Sequence, residues 1–154
     1  MIRIRFVTCS DAISATIRLA ENFWASHVEA VTPAGLYLGA HADGGVQSRP
    51  VGYDSKTLQR ELFVDLPATD QQTSDFYAYL ESRIGEPYDF DAILGFVLRR
   101  DVHAKDHAIC SALQVLATRK CGWFNYPLSQ HAHEISPRDY LLMLSGQVNI
   151  PNSD

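Results

Sequence analysis

The chain has 154 residues, of which 46% are hydrophobic and 20% charged, a composition that excludes disordered and collagen-like classes and leaves enough apolar mass for one domain with its own core. The 13 Lys and Arg against 18 Asp and Glu give a net charge of -5, which argues against nucleic acid or an anionic membrane surface as a partner. The longest apolar run, residues 92–98, falls far short of the roughly 20 residues of a membrane-spanning helix, so no transmembrane segment is expected.

Residues 1–7 alternate apolar and basic side chains (Ile2, Arg3, Ile4, Arg5, Phe6), the pattern of a half-buried strand and not of a secretory signal. Ser10 or Asp11 then caps a helix whose Ile13, Ile17 and Ala20 share one face and which ends near Asn22. His27 to Val31 alternates again, Thr32-Pro33-Ala34-Gly35 supplies a turn, and Leu36-Tyr37-Leu38 resumes an extended run, which together predict a hairpin. Asp43-Gly44-Gly45 is a further turn, Val46-Gln47-Ser48 starts another strand, and Glu61 to Leu66 is extended up to Pro67. Thr69 or Asp70 opens a helix with Phe76, Leu80 and Ile84 as its apolar stripe and Gly85 at its stop.

Glu86-Pro87-Tyr88-Asp89 reads as a constrained loop, and residues 91–100 have helical spacing. Ile109, Leu113 and Leu116 mark a helix beginning near Ala108, with Cys110 in its first turn. Ser136-Pro137-Arg138-Asp139 caps a short terminal helix over Tyr140 to Leu144. Strands early and helices late predict an α+β fold, a small antiparallel sheet packed against helices, with residues 1–154 as a single domain.

Three cysteines, Cys9, Cys110 and Cys121, are an odd number without C-x-x-C spacing. They predict a free thiol and a reducing, cytoplasmic setting, with delivery by a phage or a secretion machine as the alternative route. Cys110 is the candidate nucleophile, because the first turn of a helix offers the positive dipole end and unpaired N–H groups that favour a thiolate and can hold a developing oxyanion. His27 is its candidate base. Two side chains can orient that imidazole: His41 across the hairpin, and Glu29, which shares a face of the strand with His27. The hairpin register decides between them, and sequence does not fix it to one residue.

Other histidines are weaker candidates. His103, His107 and Cys110 fall at i, i+4 and i+7, a zinc-compatible spacing on a continuous helix, but residues 101–106 read as a polar connector. His131 and His133 read as solvated loop residues, and Trp24, Trp123 and Phe124 as core aromatics. No metal and no organic cofactor is needed for the thiol chemistry.

Ser26-His27-Val28, the Gly-Gly-Val-x-x-Arg-Pro segment from Gly44 to Pro50, Gly85-Glu86-Pro87-Tyr88-Asp89-Phe90 and Ile109-Cys110-Ser111 together resemble the circularly permuted branch of the NlpC-type, papain-like cysteine hydrolases, with its YiiX-like and phage-encoded members. In the unpermuted relatives the cysteine helix precedes the histidine strand, whereas here His27 precedes Cys110. The resemblance implies a papain-like fold, a Cys110 nucleophile, a His27 base and a third polar residue for which His41 is the nearest match. Permuted relatives often carry Glu followed by Ala at that third position, and His41 lies two residues past the simplest alignment of the turn. Tyr88 matches a family tyrosine near the nucleophile that contacts substrate or the oxyanion. Ser111 occupies the second place of the family's Cys-Ser-Glu, which here ends in Ala112. The implied partner is a peptide, a peptidoglycan fragment or an acyl substrate. A thioesterase or acyltransferase on lipid or thioester substrates, and a non-catalytic phage or envelope binding module, are the competing readings.

Overall fold

The computed structural model describes residues 1–88, 109–124 and 131–150. The expected helix over 91–100, Asp89, His103, His107 and the side chain of His133 lie outside the described residues.

Five strands follow the alternation and turn signals of the sequence: β1 (Ile2–Cys9), β2 (His27–Val31), β3 (Tyr37–His41), β4 (Gly45–Arg49) and β5 (Leu58–Leu66). They form one antiparallel sheet in the order β4-β3-β2-β1-β5. Among the described residues four α-helices accompany it: α1 (Ala12–Glu21), α2 (Asp70–Ser82), α3 (Cys110–Lys120) and α4 (Pro137–Ser145). The result is the α+β class expected from the element order.

The helix starts obey their caps. The Asp11 side chain accepts from the Ser14 N–H, and Thr69 with Gln72, and Ser136 with Asp139, form capping boxes, with Pro137 in the first turn of α4. Such caps each contribute on the order of 1 kcal/mol. Helix α1 ends at Asn22 in the left-handed conformation, with φ of 47°, a geometry that asparagine tolerates better than most residues.

Period two splits the sheet into unlike faces. Ile2, Ile4 and Phe6 of β1, Val28 and Ala30 of β2, and Leu38 and Ala40 of β3 are all fully buried. They pack in one cluster with Phe76 and Leu80 of α2, Leu113 and Val115 of α3, and Tyr140 and Leu144 of α4. Each large side chain buried there stabilises the fold by roughly 1.5–3 kcal/mol.

The opposite face departs from the half-buried strand that residues 1–7 predict. Arg3 pairs with Asp65 at the surface, but Arg5 is only 1% exposed, with its guanidinium 4.3 Å from the centroid of the Tyr37 ring. Its cover comes from β3 and from the turn after β4, which carries Tyr53 and Asp54.

Two apolar stripes also need correction. Ile13 lies partly exposed on α1, while Ile17 carries the burial. Ile84 is 51% exposed, because α2 stops at Ser82. The Gly85 N–H donates to the Val46 carbonyl at 2.9 Å and the Val46 N–H to the Glu86 carbonyl at 2.8 Å. Strand β4 thus offers the chain partners that compete with another helical turn, and it leads residues 85–88 toward Tyr88.

Gly45 makes this docking possible. Its φ is +72°, and a Cβ there would lie 1.9 Å from the Glu86 carbonyl oxygen, whereas at Gly52 (φ +80°) a Cβ meets nothing within 4 Å. Gly52→Ala should therefore cost about 1 kcal/mol from backbone conformation alone, and Gly45→Ala about 1–3 kcal/mol more from the clash. Denaturant unfolding of the two variants side by side checks the difference.

Candidate active site

Strand β2 presents His27 and Glu29 on the face that carries Arg5, since β1 and β2 pair Arg5 with Glu29 and Val7 with His27. The β2–β3 register pairs Ala30 with Leu38 and Val31 with Tyr37, and its continuation sets Glu29 opposite Gly39 and His27 opposite His41. A Cβ on Gly39 would lie 2.9 Å from the Glu29 Cβ. The bare Cα of Gly39 is therefore the space into which Glu29 fits.

Glu29 is fully buried and engaged on both oxygens. Arg5 Nη1 donates to Oε1 at 2.6 Å, and the Tyr53 hydroxyl donates to Oε2 at 3.2 Å. His27 Nε2 stands 3.4 Å and His41 Nε2 3.6 Å from the same Oε2. The two imidazole rings are 4.9 Å apart at their centroids, and the Tyr53 ring meets His41 edge-on at 5.4 Å. Arg5 also donates to Asp54 at 2.9 Å and to Glu61 at 2.8 Å, so one guanidinium joins three carboxylates.

Cys110 is the first residue of α3, after Ile109 in extended conformation, and it is 4% exposed. Its sulfur lies beside the His27 side chain, with the backbone N–H groups of Val28 and Ser111 close by. Burial pushes the thiol pKa up, but the His27 charge and these donors outweigh it, and the net shift is downward. Burial pulls His27 down, and contact with Cys110 and then Glu29 reverses the sign to a net rise. The coupled pair therefore favours thiolate and imidazolium over thiol and imidazole.

Glu29 is held below the usual carboxylate range, because contact with His27 and Arg5 overcomes burial. His41 moves the other way, down to about 3, through burial and the positive charge on His27. At neutral pH the cluster thus has charged His27 and uncharged His41, with Glu29 bridging them.

The structure brings together Cys110, His27, Glu29 and His41. With Nε2 of His27 turned to Glu29, Nδ1 is the ring atom left to exchange a proton with sulfur. Tyr88 is buried and lines a cleft of about 220 Å³ with His27, His41, Tyr53 and Asp54. Cys110 is not among the described residues lining that cleft. Ser111 contributes its N–H to the sulfur, while its hydroxyl, fully buried, has no hydrogen-bond partner among the described residues. All three cysteines are free.

His131 is exposed at the start of a 3-10 turn over Ala132–Glu134. Phe124 is buried, and Trp24 and Trp123 pack against the core, the Trp123 indole donating to the Pro67 carbonyl at 2.8 Å.

Sequence reasoning missed Arg5, Tyr53 and Asp54. The available signal was a second arginine in the alternating strand β1, with the candidate acid Glu29 on the next strand, β2. It also missed the donor set that metal chemistry would use: His27, Glu29 and His41 place their ligand atoms within 4.8 Å of one another.

No family model and no curated protein matches this chain. Among solved structures it is similar to the metalloprotein YiiX from Escherichia coli O157:H7, at 18% identity and a TM-score of 0.60, over 84% of this chain and 69% of that one. The likeness is one of fold.

Two outcomes follow from the electrostatics. Arg5→Met leaves Glu29 and Asp54 buried without their cation and should cost about 3–5 kcal/mol. A carboxylate held below its ordinary pKa contributes stability above that ordinary value and loses it as pH falls through the depressed one; unfolding titrations should show acid denaturation of Arg5→Met at higher pH than wild type. In alkylation of the native chain, Cys110 should gain reactivity below the ordinary thiol range, while Cys9 and Cys121, both pushed up mainly by burial, respond only at higher pH. Mass-spectrometric mapping of alkylated peptides across pH separates the three.

Proposed function

We propose that this chain is a cysteine hydrolase of the NlpC-type, papain-like class that cleaves amide bonds, with peptidoglycan peptides as the substrate class. One observation carries the reading: a buried cysteine at the tip of a helix touches an imidazole whose far nitrogen is turned to a buried carboxylate. That arrangement matches the requirement for a nucleophile, a base and an orienting group, whatever their order along the chain.

In the proposed reaction the Cys110 thiolate attacks the amide carbonyl, and the carbonyl electrons move to oxygen, where N–H groups at the start of α3 receive the developing charge. Collapse of this intermediate breaks the C–N bond while His27 Nδ1 gives its proton to the departing amine. The acyl group is left on sulfur as a thioester. Water then attacks the thioester, neutral His27 takes the proton from that water, and the acid leaves with Cys110 restored as thiolate beside imidazolium. The Glu29 charge, 3.4 Å from Nε2, favours a proton on that nitrogen and so leaves Nδ1 as the exchanging atom. Tyr88, on the cleft wall, is placed to contact substrate.

The described cleft has mixed walls: Asp43, Arg49, Tyr53 and Asp54 line it beside the two histidines, together with Val7, Ile13, Ile17, Ala40 and Ala42. YiiX is described as a metalloprotein; in this chain a metal ion would be held by His27, Glu29 and His41, where it would supply positive charge beside the cleft, and no step above runs through it.

Cys110→Ala should abolish turnover with the fold intact. His27→Ala should lower kcat by roughly 10²–10⁴-fold, the range of a general acid–base group. Assay of stem-peptide fragments against a panel of thioesters and acyl esters checks the bond type. Turnover unchanged in Cys110→Ala, or confined to the esters, would overturn the reading.

A further inference from the structure

The cluster behind the nucleophile has two features that its proposed catalytic role does not require. First, His41 is buried, yet it is aimed at the same carboxylate oxygen as His27. Second, Nε2 of His27 and Nε2 of His41 are both buried atoms that make no hydrogen bond. Buried polar nitrogens are ordinarily paired, because leaving one unpaired forfeits its hydration with nothing in return. Two such nitrogens converging on one oxygen at 3.4 and 3.6 Å are too far for good hydrogen bonds.

Those separations suit a different partner. Zinc binds imidazole nitrogen and carboxylate oxygen at about 2.0–2.1 Å in tetrahedral geometry, which sets neighbouring ligand atoms about 3.3 Å apart. The two edges to Glu29 Oε2 nearly match that spacing. One ring nitrogen of each histidine and a Glu29 oxygen all lie within 4.8 Å of one another.

The surroundings also fit a cation. Arg5 occupies Oε1 of Glu29 and Tyr53 orients Oε2, so the carboxylate is fixed by outer partners as metal ligands commonly are. Arg5 does not repel an incoming cation on balance, because its single charge faces three carboxylates, Glu29, Asp54 and Glu61. Access runs through the cleft that both histidines line. Two imidazoles and one carboxylate select zinc, cobalt or nickel over calcium or magnesium, which prefer all-oxygen sites.

We infer that His27, Glu29 and His41 form a site for a divalent transition metal that takes Nε2 of His27 and so withholds this imidazole from Cys110. The binding half stands on geometry alone. The inhibitory half rests on the proposed role of His27: with metal on Nε2 the ring can no longer cycle a proton on Nδ1. His41 then serves as a ligand for inhibition and needs no part in bond cleavage.

The experiment uses the reduced full chain with zinc and cobalt(II). Zinc should bind at one ion per chain in competition with a chromogenic chelator. Affinity should fall by more than about 100-fold in His41→Ala and in His41→Gln, exceeding the loss typical of an outer-shell change, and should persist in Cys110→Ser. Circular dichroism confirms that the variants are folded, and the glutamine variant keeps the side-chain volume. The cobalt spectrum should show tetrahedral bands without sulfur-to-metal charge transfer. Zinc should slow alkylation of Cys110 at least tenfold in wild type and leave it unchanged in His41→Gln.

Undiminished affinity in both His41 variants, or a thiolate band with cobalt, would overturn the site. Zinc bound through His41 with Cys110 alkylated at its metal-free rate would overturn the inhibition. Metal stoichiometry and spectra do not involve turnover, so absence of hydrolysis on every substrate would defeat the proposed activity and leave the site standing.

Discussion

Burial of the Arg5 guanidinium against the Glu29 carboxylate is the constraint around which the site is organised. A lone carboxylate in this position would be forced to take up a proton, and a lone guanidinium could not be buried at all without several kcal/mol of penalty. Together, and with Asp54, Glu61 and the Tyr53 hydroxyl closing the remaining hydrogen bonds, they fix a negative charge on the middle strands of the sheet. Contact with Cys110 and then with that fixed charge raises His27 against its burial, while burial and the charge on His27 lower His41 in spite of Glu29. Such a network adds little net stability compared with apolar packing, and its value lies in specifying one arrangement of side chains.

The second constraint is where α3 begins. Its N-terminus ends against the start of β2, so the sulfur of Cys110 meets the Val28 N–H as well as its own helix's first donors. The helix is buried along most of its length, from Cys110 through Thr118, and the Gln114 side chain donates to the Leu38 carbonyl of β3 at 3.1 Å. Helix and strand are thereby locked in register, which gives the thiol–imidazole contact a rigid frame and not a loop to hold it.

Much of this was legible in the sequence where the signals were local. The alternation of β1 and β2, the turn at Thr32–Gly35 and the Ser136-Pro137 cap depend on neighbouring residues, and each appears where expected. Cys110 at a helix tip followed from the apolar spacing of Ile109 and Leu113. What required coordinates was the pairing of distant polar groups. Arg5 read as a solvent-facing residue because its partners, Glu29, Asp54 and Glu61, lie 24, 49 and 56 positions away. The choice between His41 and Glu29 as the orienting group hung on a register no local pattern specifies, and the structure places both beside His27. Ile84 misled for the opposite reason: its spacing continued the helix, but the hydrogen bonds of β4 drew the chain away.

The missing side chain at Gly39 gives position 29 a neighbour relationship with an evolutionary reach. Glu29 and any larger residue at 39 would compete for one volume, so an acidic group can be mounted from either strand of the hairpin but not from both. A carboxylate moved from one strand to the other would keep its location in space while changing its place in the sequence.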